Sequence, residues 1–280
     1  MTSKASKLAN PKGPAVRLAL RKKCPICGAM PEIWCHQTIN PKRRLVGRIV
    51  HHARCEIQGW QRMIVVGIDP SLTSAGIAIV QDGQPVHIAS PGFTDRGGGY
   101  SGKSWLLRNR RVRYQNRQIY EAITTAGKPD LMLIEEHPYG AQAFGGEFDR
   151  SFLWHKIIET FDLAKIPFVV VHNQTLKVWV TGKGSCRETG LTRAQRRKQD
   201  KQLMIDTVSS WWPDWKSRIG NNDDVADALG LAAIGAFHLG DPMPFQPKPR
   251  HTTGLDKIDW PASISCAKPE PVQVNETERL

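Results

Sequence analysis

Between Met63 and Val80 the chain reads MIVVGIDPSLTSAGIAIV, and this stretch limits the available folds more than any other. The run Ile64–Ile68 has no polar side chain, as in a strand buried on both faces. Asp69-Pro70-Ser71 ends it with turn chemistry, and Gly76–Val80 resumes the apolar pattern. Two strands joined in this way predict a hairpin with one member inside a sheet. Asp82-Gly83 marks the next turn, and Pro85–Ser90 reads as a third strand.

Helical and extended segments then alternate. Ser104–Ile123 reads as a helix on which Leu106, Leu107, Arg110, Tyr114 and Ile119 alternate with Arg108, Arg111, Arg113 and Arg117, predicting a basic face. Lys128-Pro129-Asp130 breaks it, and Leu131–Ile134 is a central strand ending in Glu135-Glu136. Phe148–Leu163 is a helix, Phe168–Val171 a strand and Gln174–Val180 a short helix. Thr181–Lys201 is expected as a basic loop, and residues 202–212 as a helix stopped by Pro213. Asp223 opens the last helix, Asp224–His238. This order predicts an α/β fold, a mixed sheet with helices on its faces, over residues 63–240. Composition predicts a flexible basic arm at 1–20 and a Pro-rich disordered tail at 241–280.

Charge narrows the partners. Of the net +13, residues 1–62 carry 13 Lys and Arg against only Glu32 and Glu56. Concentrated positive charge attracts a polyanion and releases its counterions, so nucleic acid is the expected partner. No apolar run approaches bilayer length, and the basic N-terminus lacks the apolar core of an export signal. A cytoplasmic location, without membrane association, is therefore expected.

Four acids stand where chemistry needs them. Asp69 and Glu135 each end an apolar strand, and Asp224 and Asp227, three apart, share one helix face. Each has an ordinary reading alone: a turn, a solvated strand end, a helix start. Brought together, they repel one another and require cations, and hard oxygen ligands suit Mg²⁺ or Mn²⁺.

These blocks, in this order, resemble the RuvC-like Holliday-junction resolvases of the RNase H-like superfamily. Val66-Gly67-Ile68-Asp69-Pro70-Ser71 followed by Gly76 is similar to that family's opening strand, and Leu133-Ile134-Glu135-Glu136 to its second acidic strand. Asp224-Val225-Ala226-Asp227-Ala228-Leu229 is similar to its closing D-x-x-D-A-L-A helix, and Lys177–Gly184 to its K-x-x-x-T-G-x-G segment. The resemblance covers about Met63 to His238. It implies an RNase H-like fold and a nuclease that cuts branched DNA by a two-metal mechanism, as a homodimer, in recombination and repair. It implies Asp69, Glu135, Asp224 and Asp227 as catalytic metal ligands, with Lys177 near the scissile phosphate or DNA backbone. The family's junction-wedging aromatic has its nearest counterpart in Tyr139, shifted in placement. Glu136 and Asp223 are extra acids, and the basic segment is long, with Lys183, Arg187, Arg193, Arg196, Arg197, Lys198 and Lys201. Lys183, Arg193, Arg196 and Arg197 are the expected DNA contacts in it.

A second metal signal precedes the sheet. Cys24-x2-Cys27-x7-Cys35-x15-His51 has ligand-like spacing, since CxxC sets two thiolates on one knuckle and two later ligands close a tetrahedron around Zn²⁺. Residues 21–58 are too few to bury a core unaided, so a metal is expected to drive folding of a small N-terminal zinc-binding module. By spacing alone the fourth ligand is open among His51, His52 and Cys55. The pattern C-P-x-C-G-A-x-P…C…H-x-x-R resembles small zinc modules of actinobacterial phage proteins, which favours His51 and an origin in phage or an infected bacterium.

Three rival readings remain open at the level of sequence. An actin-like ATPase shares the G-I-D-x-S opening, but Asp95-Arg96-Gly97-Gly98-Gly99 follows too soon for a second lobe, and Asp224 and Asp227 go unexplained. A non-catalytic DNA-binding protein on this fold has no need of a complete acidic set. Another RNase H-like nuclease, acting on RNA–DNA hybrids or as a recombinase, fits the same acids.

Overall fold

The computed structural model describes residues 63–93, 103–137 and 146–261, apart from 187, with residues 16, 19–20, 23–24, 26–37, 40–45 and 49–51 of the N-terminal region. Strands β1 (Ile64–Asp69), β2 (Gly76–Gln81), β3 (Gln84–Ala89), β4 (Leu131–Glu135) and β5 (Phe168–Val171) form one sheet in the order β3-β2-β1-β4-β5. The β1–β2 and β2–β3 pairs are antiparallel, whereas β4 runs parallel to β1 and β5 parallel to β4. Residues 70–75 join β1 to β2, and a two-residue turn joins β2 to β3. Asp82 and Gly83, both at positive φ, make the second turn. The helices are α1 (Trp105–Ile123), α2 (Glu147–Leu163), α3 (Asn173–Thr181), α4 (Arg193–Trp211), α5 (Lys216–Ile219), α6 (Asp223–Leu239) and α7 (Pro249–Leu255). This is the expected mixed sheet flanked by helices.

Alternation along the strands separates two cores. Val66, Ile68, Ile77, Ile79, Met132 and Ile134 face α1 and α2. Val65, Ala78, Val80, Leu131, Leu133 and Val171 face α6, with α3 and α4 behind it. Because both faces are covered there, β1, β2 and β4 read as continuous apolar runs. Helix α6 (DDVADALGLAAIGAFHL) is apolar nearly all round because it lies between the sheet and the outer helices. Its small residues, with glycine opposite, let backbones meet. A Cβ on Gly67 would lie 1.9 Å from the Ala228 carbonyl oxygen, and one on Gly76 1.8 Å from that of Asp224. Those two glycines seat the N-terminal half of α6 across β1 and β2.

Three expectations are corrected. On α1 the buried stripe is Arg108, Val112, Gln115, Ile119 and Ile123, while Leu106, Leu107 and Tyr114 are exposed. Arg108 is tolerated inside because Asp149 of α2 neutralises it, accepting from Nε at 3.0 Å and Nη2 at 2.8 Å. Periodicity within one segment cannot register a partner on another. Second, residues 193–201 are not loop but the first half of α4. Thr192 caps that helix in a reciprocal box with Gln195, a T-x-x-Q signal visible in the sequence. Third, the described part of the tail, residues 241–261, is built into the fold: α7 packs on α3, Pro242 meets the β2–β3 turn at Gly83, and Leu255 and Ile258 enter the α6-side core.

The N-terminal region forms its own small cluster of Val16, Ala19, Cys24, Ala29, Cys35, Leu45, Ile49 and Val50. Val16 and Ala19 fall within the expected arm, yet they are helical and buried. The module lies against the C-terminal end of α6 and the tail. Ile26, Leu45 and His51 share a cavity of about 380 Å³ with Phe237, His238 and Phe245, and Arg43 Nη1 lies 3.8 Å from Asp256. Among the described residues no helix is long and apolar enough to cross a membrane.

Candidate active site

Asp69, Glu135 and Asp227 converge, each offering a carboxylate oxygen within 4.8 Å of the others. Their positions follow from the fold. Residues 65, 67 and 69 of β1 and 131, 133 and 135 of β4 point to the α6 face, so Asp69 and Glu135 leave adjacent parallel strands on the same side. Asp227 comes down from α6, which Gly67 and Gly76 allow to lie on the sheet. Asn222 caps that helix by accepting from the Val225 N–H at 3.1 Å. The Trp154 indole donates to the Glu135 carbonyl oxygen at 2.9 Å and holds the end of β4.

The cluster is electrostatically tense. Burial, then Glu135, Asp227, Asp224 and Asp223, hold the Asp69 carboxyl well above the usual carboxylate range. Burial raises Glu135 despite a hydrogen bond from the Asn173 amide and the opposing charge of Lys177. Burial, then Glu135, push Asp227 up to about 8, against the pull of Lys177. Such a set either keeps protons or takes a cation. Three half-buried oxygen donors with a lysine at their edge fit a hard divalent ion.

The four expected acidic ligands are not equivalent. Asp224, one turn before Asp227, lies outside the three-carboxylate group, accepts a hydrogen bond from Ser74, and is raised chiefly by burial. The neighbouring acids turn elsewhere. Glu136 lies 3.9 Å from the His172 ring, and Asp223 pairs with Lys201. Two contributors went unnoticed in the sequence, Asn173 and Ser74. Asn173 lies four residues before Lys177 and so on the same side of α3, a helical spacing that was available as a signal.

Of the expected DNA contacts, Lys177 borders the acids, and Lys183, Arg193, Arg196 and Arg197 are exposed. The Lys201–Asp223 pair sets the basic half of α4 beside the N-terminus of α6, so Arg193 and Arg197 lie about 12 Å and 6 Å along α4 from Lys201. Arg196 is partly committed, donating Nε and Nη2 to the Leu191 carbonyl at 3.1 and 2.9 Å. Tyr139, Arg187 and the Gly97–Gly99 segment lie outside the described residues.

A second group that can hold a metal gathers in the module. Cys24, Cys27, Cys35 and His51 offer ligand atoms within 4.8 Å of one another, with Cys24 Sγ 3.3 Å from His51 Nδ1. The knuckle is closed by Cys24 N–H to the Ala29 carbonyl at 2.8 Å and Gly28 N–H to the Cys24 carbonyl at 3.0 Å. The Cys35 N–H to the Ile49 carbonyl at 2.9 Å brings in the second half. Burial alone would raise the Cys27 thiol, but hydrogen bonds from the His36 and Ala29 backbones and from Cys24 and Cys35 lower it, which favours a metal-ligating thiolate. Of the other candidates for fourth ligand, His52 and Cys55 lie outside the described residues.

No family model and no curated protein matches the chain. Solved structures do. The chain is similar to RuvC of Thermus thermophilus in complex with a Holliday-junction substrate, at 14% identity and a TM-score of 0.45 over 65% of this chain and 99% of that one. It is similar to the fowlpox virus resolvase in complex with Holliday-junction DNA, at 17% identity and a TM-score of 0.37 over 61% and 94%. It is also similar to the yeast mitochondrial Holliday-junction resolvase, at 14% identity and a TM-score of 0.40 over 70% and 82%.

Proposed function

We propose that the chain is a metal-dependent endonuclease that hydrolyses phosphodiesters in branched DNA, four-way junctions foremost, as a homodimer. The convergence of Asp69, Glu135 and Asp227 at the ends of two parallel strands and one helix carries this reading. Asp69, Glu135 and Asp227 would hold Mg²⁺ or Mn²⁺, and Asp224 would complete the set from the next turn of α6. Two such ions would supply a nucleophilic water at neutral pH and stabilise the leaving oxygen.

The protein's own groups do the rest. Asn173 fixes the orientation of Glu135 through its amide. Lys177 offsets the acids and stands ready to meet a phosphate oxygen as the anion enters. Lys183, Arg193 and Arg197, all exposed, would meet the DNA backbone, with Arg196 a weaker contact. Tyr139 remains the candidate for stacking at an opened branch point. The module would hold Zn²⁺ through Cys24, Cys27, Cys35 and His51, since three thiolates and an imidazole suit that ion. A twofold dimer would match the two symmetric strands of a junction.

The test is a cleavage panel with the full chain and Mg²⁺ on synthetic four-way junctions, forks, flaps, RNA–DNA hybrids and plain duplex. Paired cuts in the junction at a rate well above duplex are expected. Preferential cutting of the hybrid would transfer the chain to a different substrate class. Absence of cleavage on every substrate, with DNA still bound, would leave it a binding protein.

A further inference from the structure

The tail segment beyond α6 grips α3, a short helix that brings polar groups to the acids. Helix α3 has only nine residues, too few to be stable alone, and its last carbonyls need partners. Arg250 of α7 supplies them, with Nε donating to the Trp179 carbonyl at 3.0 Å and Nη2 to the Val180 carbonyl at 3.1 Å. The contact is reciprocal, because the Trp179 indole donates to the His251 carbonyl at 2.9 Å. The His251 ring sits 4.7 Å from the Trp179 ring. Burial, then Arg250 and Lys248, push His251 down to about 4, so this packing is neutral at ordinary pH. Gly254 completes the fit, since a Cβ there would approach the Trp179 ring to 2.8 Å. At the other end of α3, Asn173 donates to Glu135, and Lys177, two residues before Trp179, faces Glu135 and Asp227.

We propose that Arg250 is a positioning residue: by forking onto the last carbonyls of α3 it fixes where Asn173 and Lys177 meet the catalytic carboxylates. The proposal rests on the nuclease reading of that site. The guanidinium is suited to the task because it is a rigid fork with a positive charge at the negative end of a helix. Loss of the fork frees α3 to shift along its axis, and a displacement of about 1 Å at a positioned group can slow a reaction by up to ~10²-fold.

The experiment compares wild type, Arg250→Ala, Arg250→Lys, Lys177→Ala and the double variant Arg250→Ala with Lys177→Ala. One readout is the Asn173 side-chain amide resonance in metal-free protein. The other is the single-turnover cleavage rate on a four-way junction, with junction Kd measured separately. Arg250→Ala should shift the Asn173 resonance and slow cleavage about 10-fold with Kd little changed, and Arg250→Lys should fall between. In the Lys177→Ala background the added effect of Arg250→Ala should shrink to about 2-fold or less, because the two act through one element. An unmoved Asn173 resonance, or effects that multiply in full, overturns the proposal. If Arg250→Ala does not fold, Gly254→Ala disturbs the same contact from the Trp179 side and is judged by the same two criteria. If wild type cuts no substrate, the nuclease reading fails on its own, and the Asn173 resonance still decides whether Arg250 positions α3.

Discussion

The chain gathers two sets of candidate metal ligands, and they are built in opposite ways. Asp69, Glu135 and Asp227 come from β1, β4 and α6, elements already fixed by two hydrophobic cores. Cys24, Cys27, Cys35 and His51 come from a short segment whose described residues form a small cluster of their own. In the first set the fold creates the site and forces together charges that repel. In the second, on the proposed zinc reading, a bound ion would do much of the folding. The contrast predicts that the carboxylate site keeps its shape without metal and exchanges ions freely, while the cysteine site holds its ion and loses its shape without it. The two lie toward opposite ends of α6, with Asp227 near its start and His51 sharing a cavity with Phe237 and His238 near its end, so each can be perturbed alone.

The largest expected effect is on the carboxylates. Asp69→Asn or Asp227→Asn should lower junction cleavage about 10³-fold or more with the fold and DNA binding retained, as single-turnover assays and circular dichroism would show. Glu136→Gln and Asp223→Asn should be far milder, because those side chains turn to His172 and Lys201. Near wild-type rates for Asp227→Asn in saturating Mg²⁺ would remove it from the ligand set.

Next comes the module. Elemental analysis should find about one zinc per chain in wild type and much less in Cys24→Ser with Cys27→Ser, given apparent affinities of ~10–16 kcal/mol for such sites. Mild EDTA should stop cleavage, and Mg²⁺ alone should restore it. Module and tail share a contact through Arg43 and Asp256, so proteolysis of the double variant should open the module first and the tail after it. Cleavage that needs added zinc to recover would erase the distinction between the two sites.

The basic flank should give a smaller change. Arg193→Ala, Arg196→Ala and Arg197→Ala together should lower the salt slope of DNA affinity by about two units, since Arg196 is partly occupied by the Leu191 carbonyl. An unchanged slope would put this part of α4 away from the DNA.

The smallest effect is on stability, and its sign is fixed. Asp227 has a folded pKa raised to about 8 from 3.8, so between those values the folded state binds more protons than the unfolded. Metal-free stability should therefore fall as pH rises from about 4 to about 8. Thermal melts of Asp227→Asn should show a shallower fall across the same window. A wild-type profile that rises with pH and is copied by the variant would mean that the carboxylates carry no strain.

Much of this was legible in the sequence, for physical reasons. Strands β1, β2 and β4 are buried on both faces, so their apolar runs stand out, and Asp69 and Glu135 are conspicuous as the acids that end two of them. The cysteine spacing was equally plain because its ligands are close in sequence. What escaped depended on partners distant in the chain. Arg108 is buried only because Asp149 meets it from α2, and α7 is ordered because Trp179 and Arg250 complete one another. Proline content hid α7, although Pro249 stands at its first position, where proline is tolerated. The difference between Asp224 and Asp227 is a matter of rotation about α6, which spacing along the chain does not fix.

The central claim is that Asp69, Glu135 and Asp227 form a divalent-metal site made by the fold. Calorimetric titration of metal-free protein with Mn²⁺ at pH 6 and pH 8 tests it most directly. The account predicts saturable binding that is tighter at the higher pH, with proton release in the lower-pH titration, because the carboxyl held near 8 must release its proton to the buffer as the ion binds. It predicts loss of that binding in Asp69→Asn and Asp227→Asn and its retention in Glu136→Gln. Equal Mn²⁺ binding by wild type and Asp227→Asn, or none by wild type at either pH, would contradict it.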